Sequence, residues 1–415
     1  MKSLLLSHSD GGGGAGRAAY RLQQALVAAG VDSRMHVDFK NTNDDRVSQS
    51  SGLLAGLALR ARILVDQLPG ISAKVADPGL FSPGFSSAMM ARNINSDAAD
   101  IINVHWVNMG FLSIRQLGRI RKPMIWTLHD MWAFTGGRNY APDGPNARWR
   151  DPYEVDNRPT DGSLWDVDRW VWNRKRKGWT KPRQVVTPSK WLAELVSQSE
   201  LMSTWPVSVI PNPIDTNVFK PYPQAEARAF HNLPPDVPLI LFAFTTNLDD
   251  PRKGWDLLGE ALQIMHLECP DVELAVMGQD APPNPWGTGL PHAHWLGRLS
   301  YDEQLAMAYS AADVTVVPSR QDNLPQTGTE AQACGCPVAA FRVGGLPDVV
   351  EDAETGLLAD AFDTTALANA IITLVSSDER RARMAHAARA RAERLWSQHV
   401  VAEQYRELFA AVSGR

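Results

Sequence analysis

Residues 313–343 read DVTVVPSRQDNLPQTGTEAQACGCPVAAFRV. A valine-rich apolar run, DVTVVPS, opens into a polar loop, a helical stretch follows Pro325, and a second apolar run, PVAAFRV, comes next. Strand, helix and strand in that order predict a βαβ unit and hence a parallel sheet. The loop places Asp322 at the strand end, and Glu330 lies eight positions on, in the first turns of the helix. Carboxylates so placed accept hydrogen bonds from hydroxyl groups, such as those of a sugar or a ribose.

The same alternation runs outward through the chain. Expected strands are SLLLSHS near the start, SRMHVDF (33–39), IINVHWV (101–107), MIWTLHD (124–130) and RQVVTPS (183–189). A second series comprises VSVIPNP, PLILFAFT, VELAVMG, HAHWLGRL, DVTVVPS and PVAAFRV, with amphipathic segments such as AAYRLQQALVAAG between. Two such series predict an α/β chain of two Rossmann-like, doubly wound domains. The 415 residues are too many for one ordinary core and suit two domains. The seam is expected near VIPNPIDTNVF, where Pro211 and Pro213 restrict the backbone, giving domains 1–208 and 209–391.

Composition narrows the class. Apolar residues at 44% and charged residues at 21% describe a globular chain, and a net charge of −5 argues against nucleic acid as a partner. No apolar run approaches the roughly 20 residues of a membrane span, and the run in MKSLLLSHSD is too short for a signal peptide. The three cysteines, Cys269, Cys334 and Cys336, have no metal-site or disulfide spacing and suit a reducing cytoplasm.

In open α/β sheets ligands bind beyond the carboxyl ends of the strands, so the strand-end loops carry the search. The first, SDGGGGAGRAAYRL, lets the backbone approach a ligand and aims a helix N-terminus at it, which suits a phosphate. In the second, TNLDDPRKGWDLLGEAL, Arg252 and Lys253 precede an apolar helix and are placed to neutralise a pyrophosphate. A third stretch, TLHDMWAFTGGRNY (127–140), ends a core strand in His129 and opens into glycines.

Together these segments resemble the family 4 glycosyltransferases of the GT-B fold. The C-terminal signature of that family has Pro-Ser, an acidic residue, Glu-Ala, Cys-Gly-x-Pro-Val, Gly-Gly and Thr-Gly-Leu-Leu. It is met here by DVTVVPSRQDNLPQTGTEAQACGCPVAAFRVGGLPDVVEDAETGLL. VTPSKWLAE, VIPNPIDTNVF, DPRKGWDLLGEAL and the N-terminal DGGGGAGRAAYRLQQAL fall in the same order, and TLHDMWAFTGGRNY looks like that of polysaccharide-assembly members.

The resemblance implies two domains facing a cleft, with the near-terminal helix (392–415) packing back on the first. It places the amides of Gly13 and Gly14 near a donor diphosphate and Lys253 on that diphosphate, with Arg252 beside it. Asp322 then faces the transferred sugar, Asn323 and Leu324 offer amides to sugar oxygens, Glu330 holds the ribose, and His129 lies by the donor sugar. The implied reaction is transfer of a hexosyl unit from a UDP- or GDP-sugar to a glycan or lipid-linked acceptor, with retention of configuration. It needs no metal, no other cofactor and no dedicated catalytic base, because a lysine, helix termini and loop amides stabilise the leaving diphosphate.

Three features depart from the family pattern. Asp322 replaces the usual glutamate, FTTNLDD stands where an upstream Gly-Arg pair is common, and a Pro/Asp/Trp-rich insertion (141–165) occupies the acceptor side. RWVWNRKRKGWTKPR (169–183) and SIRQLGRIRKP (113–123) interleave tryptophans and cations as an anionic membrane surface would favour. The expected location is therefore cytoplasmic, with peripheral contact at the inner membrane face. Two rival functions are a binding homologue without transfer activity and a sugar-nucleotide epimerase. Mutation of Lys253 tests the first and an acceptor-free assay the second.

Overall fold

The computed structural model describes residues 1–49, 53–75, 81–160, 164–244, 250–281 and 289–414, with the backbone alone for 53–55. Alternating apolar runs form short buried strands, each followed by a helix or turn that returns the chain for parallel pairing. In the first unit β1 (Lys2–Ser9), β2 (Asp32–Phe39), β3 (Val47–Gln49), β4 (Ile101–Val104), β5 (Met124–Thr127), β6 (Gln184–Thr187) and β7 (Val207–Val209) lie in the order β3-β2-β1-β4-β5-β6-β7. In the second, β8 (Leu239–Ala243), β9 (Glu273–Met277), β10 (Ala293–Trp295), β11 (Val314–Val317), β12 (Val338–Phe341) and β13 (Gly356–Ala359) lie in the order β10-β9-β8-β11-β12-β13. Every pair is parallel. The central strands β4, β5, β8, β11 and β12 are buried throughout, as a sheet covered on both faces requires.

The units comprise Met1–Ile210 with Ala402–Arg415, and Pro211–Val401. VSVIPNP, grouped above with the second series of strands, belongs to the first sheet: Val207–Val209 pairs with Val185–Thr187 as its edge. Proline at 211 and 213 then ends the pairing, because proline has no N–H to donate. The near-terminal segment is not one helix. It breaks at Ser397 into Asp378–Trp396 and Gln398–Ser413. Ile214 N donates to Trp396 O at 2.7 Å and Gln398 N to Ile214 O at 3.1 Å, so a bridge to the chain replaces helical bonds at that point. Trp396 accordingly fills the second unit's core, and the return to the first unit starts at Ala402 rather than 392.

Candidate functional site

In the first sheet β1 is flanked by β2 on one side and β4 on the other, so its winding changes direction there and the loops after β1 and β4 diverge. The glycine loop after β1 is held by side chains. Ser9 Oγ accepts from the amides of Gly11 (3.1 Å) and Gly12 (2.8 Å), and from Asn41 Nδ2 (2.9 Å). Buried Asp10 accepts from Asn41 N, Thr42 N and Thr42 Oγ1. Gly13 has φ +85°, and a Cβ at Gly16 would stand 2.8 Å from Ser9 O, so both positions need glycine for the helix Gly13–Ala28 to start against the strand end. Its N-cap, Gly12, supplies no side-chain cap, and Gly14 sits in its first turn.

His129 follows β5 and meets a histidine that the sequence reading did not single out. His129 Nε2 is 3.0 Å from His105 Nδ1, and His105 Nε2 is 2.9 Å from Asn103 Oδ1. Asn103 Nδ2 donates to Ile125 O (3.3 Å) and Thr127 Oγ1 (3.0 Å). Ile125 O can only accept, so it fixes the amide orientation; Asn103 Oδ1 then accepts from His105 Nε2–H, and His105 Nδ1 accepts from His129 Nε2–H. That bonding places a proton on Nε2 of each ring, and the neutral form of each is set by burial. Burial pushes His129 down to about 4 despite partial solvent access, and pushes His105 well below the usual range with help from its neighbour. Thr127 Oγ1 also meets the buried Tyr405 hydroxyl at 3.0 Å, tying the strand end to the terminal helix. The other members of the local network are Trp106, which donates to Asp130 Oδ2 at 2.9 Å, and Trp132 N, which bonds Asp130 Oδ1.

In the second sheet the corresponding divergence is between β8 and β11. Pro251–Lys253 form one turn of 3₁₀ helix, capped by Asp250 and closed by Gly254 at φ +68°. A Cβ on Gly254 would lie 1.9 Å from Pro318 O, so the close approach of the two loops depends on that glycine. The approach brings Lys253 Nζ to 2.7 Å from Asp322 Oδ2, while Asp322 Oδ1 accepts from Asn323 N at 2.9 Å. Arg252 is turned to Asp250, with Nη2 and Oδ2 2.6 Å apart. Asn323 and Leu324 are buried, 4% and 6% exposed, and Pro325 leads into the helix Gln326–Ala333. Glu330, only 2% exposed, accepts from Tyr309 OH at 2.9 Å. Gly344, at φ +55°, leaves the room that brings Gly345 N to Asp322 O at 2.9 Å.

The structure thus joins Lys253 to Asp322 and sets Glu330 on the helix after them. Gly13, Gly14 and His129 belong to the first unit. Residues 245–249, within the FTTNLDD segment that replaces the Gly-Arg pair, lie outside the described residues, as do 161–163 of the insertion.

Several cations and indoles of the segment 169–183 turn inward. Trp172, Trp179 and Lys175 are buried, and the Lys175 ammonium donates to the carbonyls of Trp132, Thr135 and Gly136. Arg174 donates to Pro83 O and Gly84 O and lies over the Trp170 ring at 4.6 Å. These side chains anchor the TLHDMWAFTGG segment from below. Among the described residues no helix is long and apolar enough to cross a membrane.

Residues 12–218 match the family model described as Glycosyltransferase Family 4, and residues 240–377 the one described as Glycosyl transferases group 1. A D-inositol 3-phosphate glycosyltransferase of Xylanimonas cellulosilytica is 37% identical over 219 residues, 47% of this chain and 49% of that protein. The chain thus spans about half the length of the curated relatives it matches. Among solved structures, sucrose-phosphate synthase from Thermosynechococcus elongatus has a TM-score of 0.65 at 22% identity, covering 99% of each chain. HepE of Anabaena, solved with UDP and glucose, has a TM-score of 0.62 at 18% identity, covering 99% of this chain and 100% of that one. The shared architecture is the two-domain GT-B fold.

Proposed function

The chain belongs to the family 4, group 1 glycosyltransferases, and from that premise we propose that it transfers a hexosyl unit, with retention, from a UDP- or GDP-sugar to a glycan or lipid-linked acceptor. The observation that carries the reading is the 2.7 Å pair of Lys253 and Asp322 at the strand-end crevice of the second unit, with buried Glu330 on the helix beyond. A cation beside an acceptor of hydroxyl hydrogen bonds, followed by a second carboxylate, suits a diphosphate, a sugar and a ribose in sequence.

On this reading the arriving diphosphate draws Lys253 away from Asp322, and the released carboxylate takes up a sugar hydroxyl. Arg252 adds positive charge nearby, and the amides of Asn323 and Leu324 hold further sugar oxygens. Glu330 orients the ribose. As the bond from the anomeric carbon to the diphosphate oxygen breaks, the acceptor oxygen attacks from the same face. Its proton passes to the leaving phosphate oxygen, so no separate base and no metal takes part. Same-face attack yields retention.

The reading includes a cytoplasmic location at the inner face of the plasma membrane and a role in exopolysaccharide, capsule or lipopolysaccharide assembly. Its support is the likeness of TLHDMWAFTGGRNY to polysaccharide-assembly members.

Calorimetric titration with UDP and GDP in EDTA, comparing the parent with Glu330→Ala, tests it. Binding of one nucleotide by the parent, weakened in the variant, is the expected result. Binding of neither favours a homologue that transfers nothing.

A further inference from the structure

The two basic segments distinguished in the sequence, 113–123 and 169–183, come together at the end of the first sheet opposite His129. A depression of about 1230 Å³ opens there, at the amino-terminal edges of β5, β6 and β7. Five cations line it: Arg92, Arg119, Arg121, Lys181 and Arg183. Among the described residues no carboxylate does, although the chain as a whole is net negative. Among the described residues none of the five is ion-paired. Of their side chains Arg183 donates to Ile120 O at 2.5 Å, and burial lowers the pKa of its guanidinium.

Three indoles form its apolar wall. Trp126 and Trp179 meet edge to face at 5.0 Å, and Trp126 and Trp205 lie 6.4 Å apart. Trp179 Nε1 donates to Ile114 O at 3.0 Å, so that polar atom is satisfied within the protein. The ordinary alternative is a set of solvated surface arginines, but those are normally interspersed with acids. Five unneutralised cations around one concavity raise each other's electrostatic energy until an anion enters. Guanidinium groups are suited to phosphate, which they bond in two-pronged fashion.

We infer that this depression binds clustered phosphate groups, separately from the donor site. A soluble polyphosphate and the headgroups of an anionic bilayer share that chemistry. The bilayer source would deepen the proposed membrane location; the site itself does not depend on it.

The test measures full-length protein against phosphatidylglycerol vesicles, phosphatidylcholine vesicles and inorganic tripolyphosphate, at low and at physiological salt. A second protein carries Arg92→Gln, Arg121→Gln and Lys181→Gln, three exposed side chains whose loss leaves no internal bond unmade. The expected result is binding of tripolyphosphate, phosphatidylglycerol vesicles or both, weakened by salt. Each lost cation should cost roughly five-fold, about 100-fold for the triple variant. Binding to phosphatidylglycerol alone identifies the lipid source, and binding to tripolyphosphate alone the soluble one. Equal affinity for phosphatidylcholine, no binding in either anionic arm, or parent-like binding by the triple variant overturns the inference. UDP or GDP titration of the triple variant should match the parent, so failure of the proposed transferase reading shows up independently.

Discussion

His105 Nδ1 lies 3.0 Å from His129 Nε2, and the two imidazoles stack 24° from parallel with centroids 5.3 Å apart. Two protonated rings could not share that arrangement, because each Nδ1–H and Nε2–H would face the other. The arrangement therefore excludes the doubly protonated pair, and burial favours the neutral form of each ring. Asp130, on the same loop, and Tyr405, reached through Thr127, are titratable groups near it.

The pair should make stability fall with acid. His129 is depressed to about 4 in the folded protein, against an unfolded value near 6.5, and His105 is also held well below its usual range. Between those values the unfolded chain binds more protons, so the contribution is complete above about pH 6.5 and lost as pH falls towards 4. Unfolding free energies from urea titrations at pH 7.5 and pH 5.0 should differ by on the order of 1–3 kcal/mol from this source. The drop should shrink in a His105→Phe, His129→Phe double variant; an unchanged drop assigns the acid sensitivity elsewhere.

Lys253→Ala should lower kcat by about 100-fold or more, the scale of losing one preorganised charge at a developing anion. Its pair with Asp322 is partly exposed, 23% and 11%, so the stability change should stay within about 1 kcal/mol. A variant that loses activity only in proportion to its folded fraction contradicts the assignment.

Two glycines in neighbouring segments should respond in opposite directions. Gly254→Ala forces a Cβ against Pro318 O from a positive φ, and should cost more than about 2 kcal/mol while displacing Lys253. Gly259→Ala lies in the helix Trp255–Glu268 with nothing within 4 Å of the added carbon, and should stabilise by about 0.5–1 kcal/mol. Thermal unfolding of the two single variants reads both signs.

Lys175→Met should destabilise by about 2–3 kcal/mol, because the carbonyls of Trp132, Thr135 and Gly136 lose their common donor. Lys177→Met, at an exposed position of the same helix, should change the unfolding free energy by less than about 0.5 kcal/mol in urea titration. Similar losses in both would contradict the anchoring role.

Local order was legible in the sequence. Valine-rich runs bounded by glycine and proline marked most of the strands, and their alternation with amphipathic segments implied two parallel sheets. Strand ends then pointed to Gly13, His129, Lys253 and Asp322. The short strands Val47–Gln49 and Gly356–Ala359 were not anticipated, since three or four residues carry too little alternation to read.

Which residues meet was decided only by the tertiary structure. His105 and His129 face each other because β4 and β5 are neighbours in register, with Val104 opposite Trp126. Lys253 reaches Asp322, 69 positions away, because β8 pairs with β11 across the intervening β9 and β10. The break at Ser397 came from a bridge to Ile214, a partner 183 positions earlier, and not from any helix-stopping residue. The helical or extended preference of a segment comes from side chains within a few residues of one another. Strand order, and with it the company each loop keeps, comes from how the covered faces bury together, and residues distant in the chain decide that jointly.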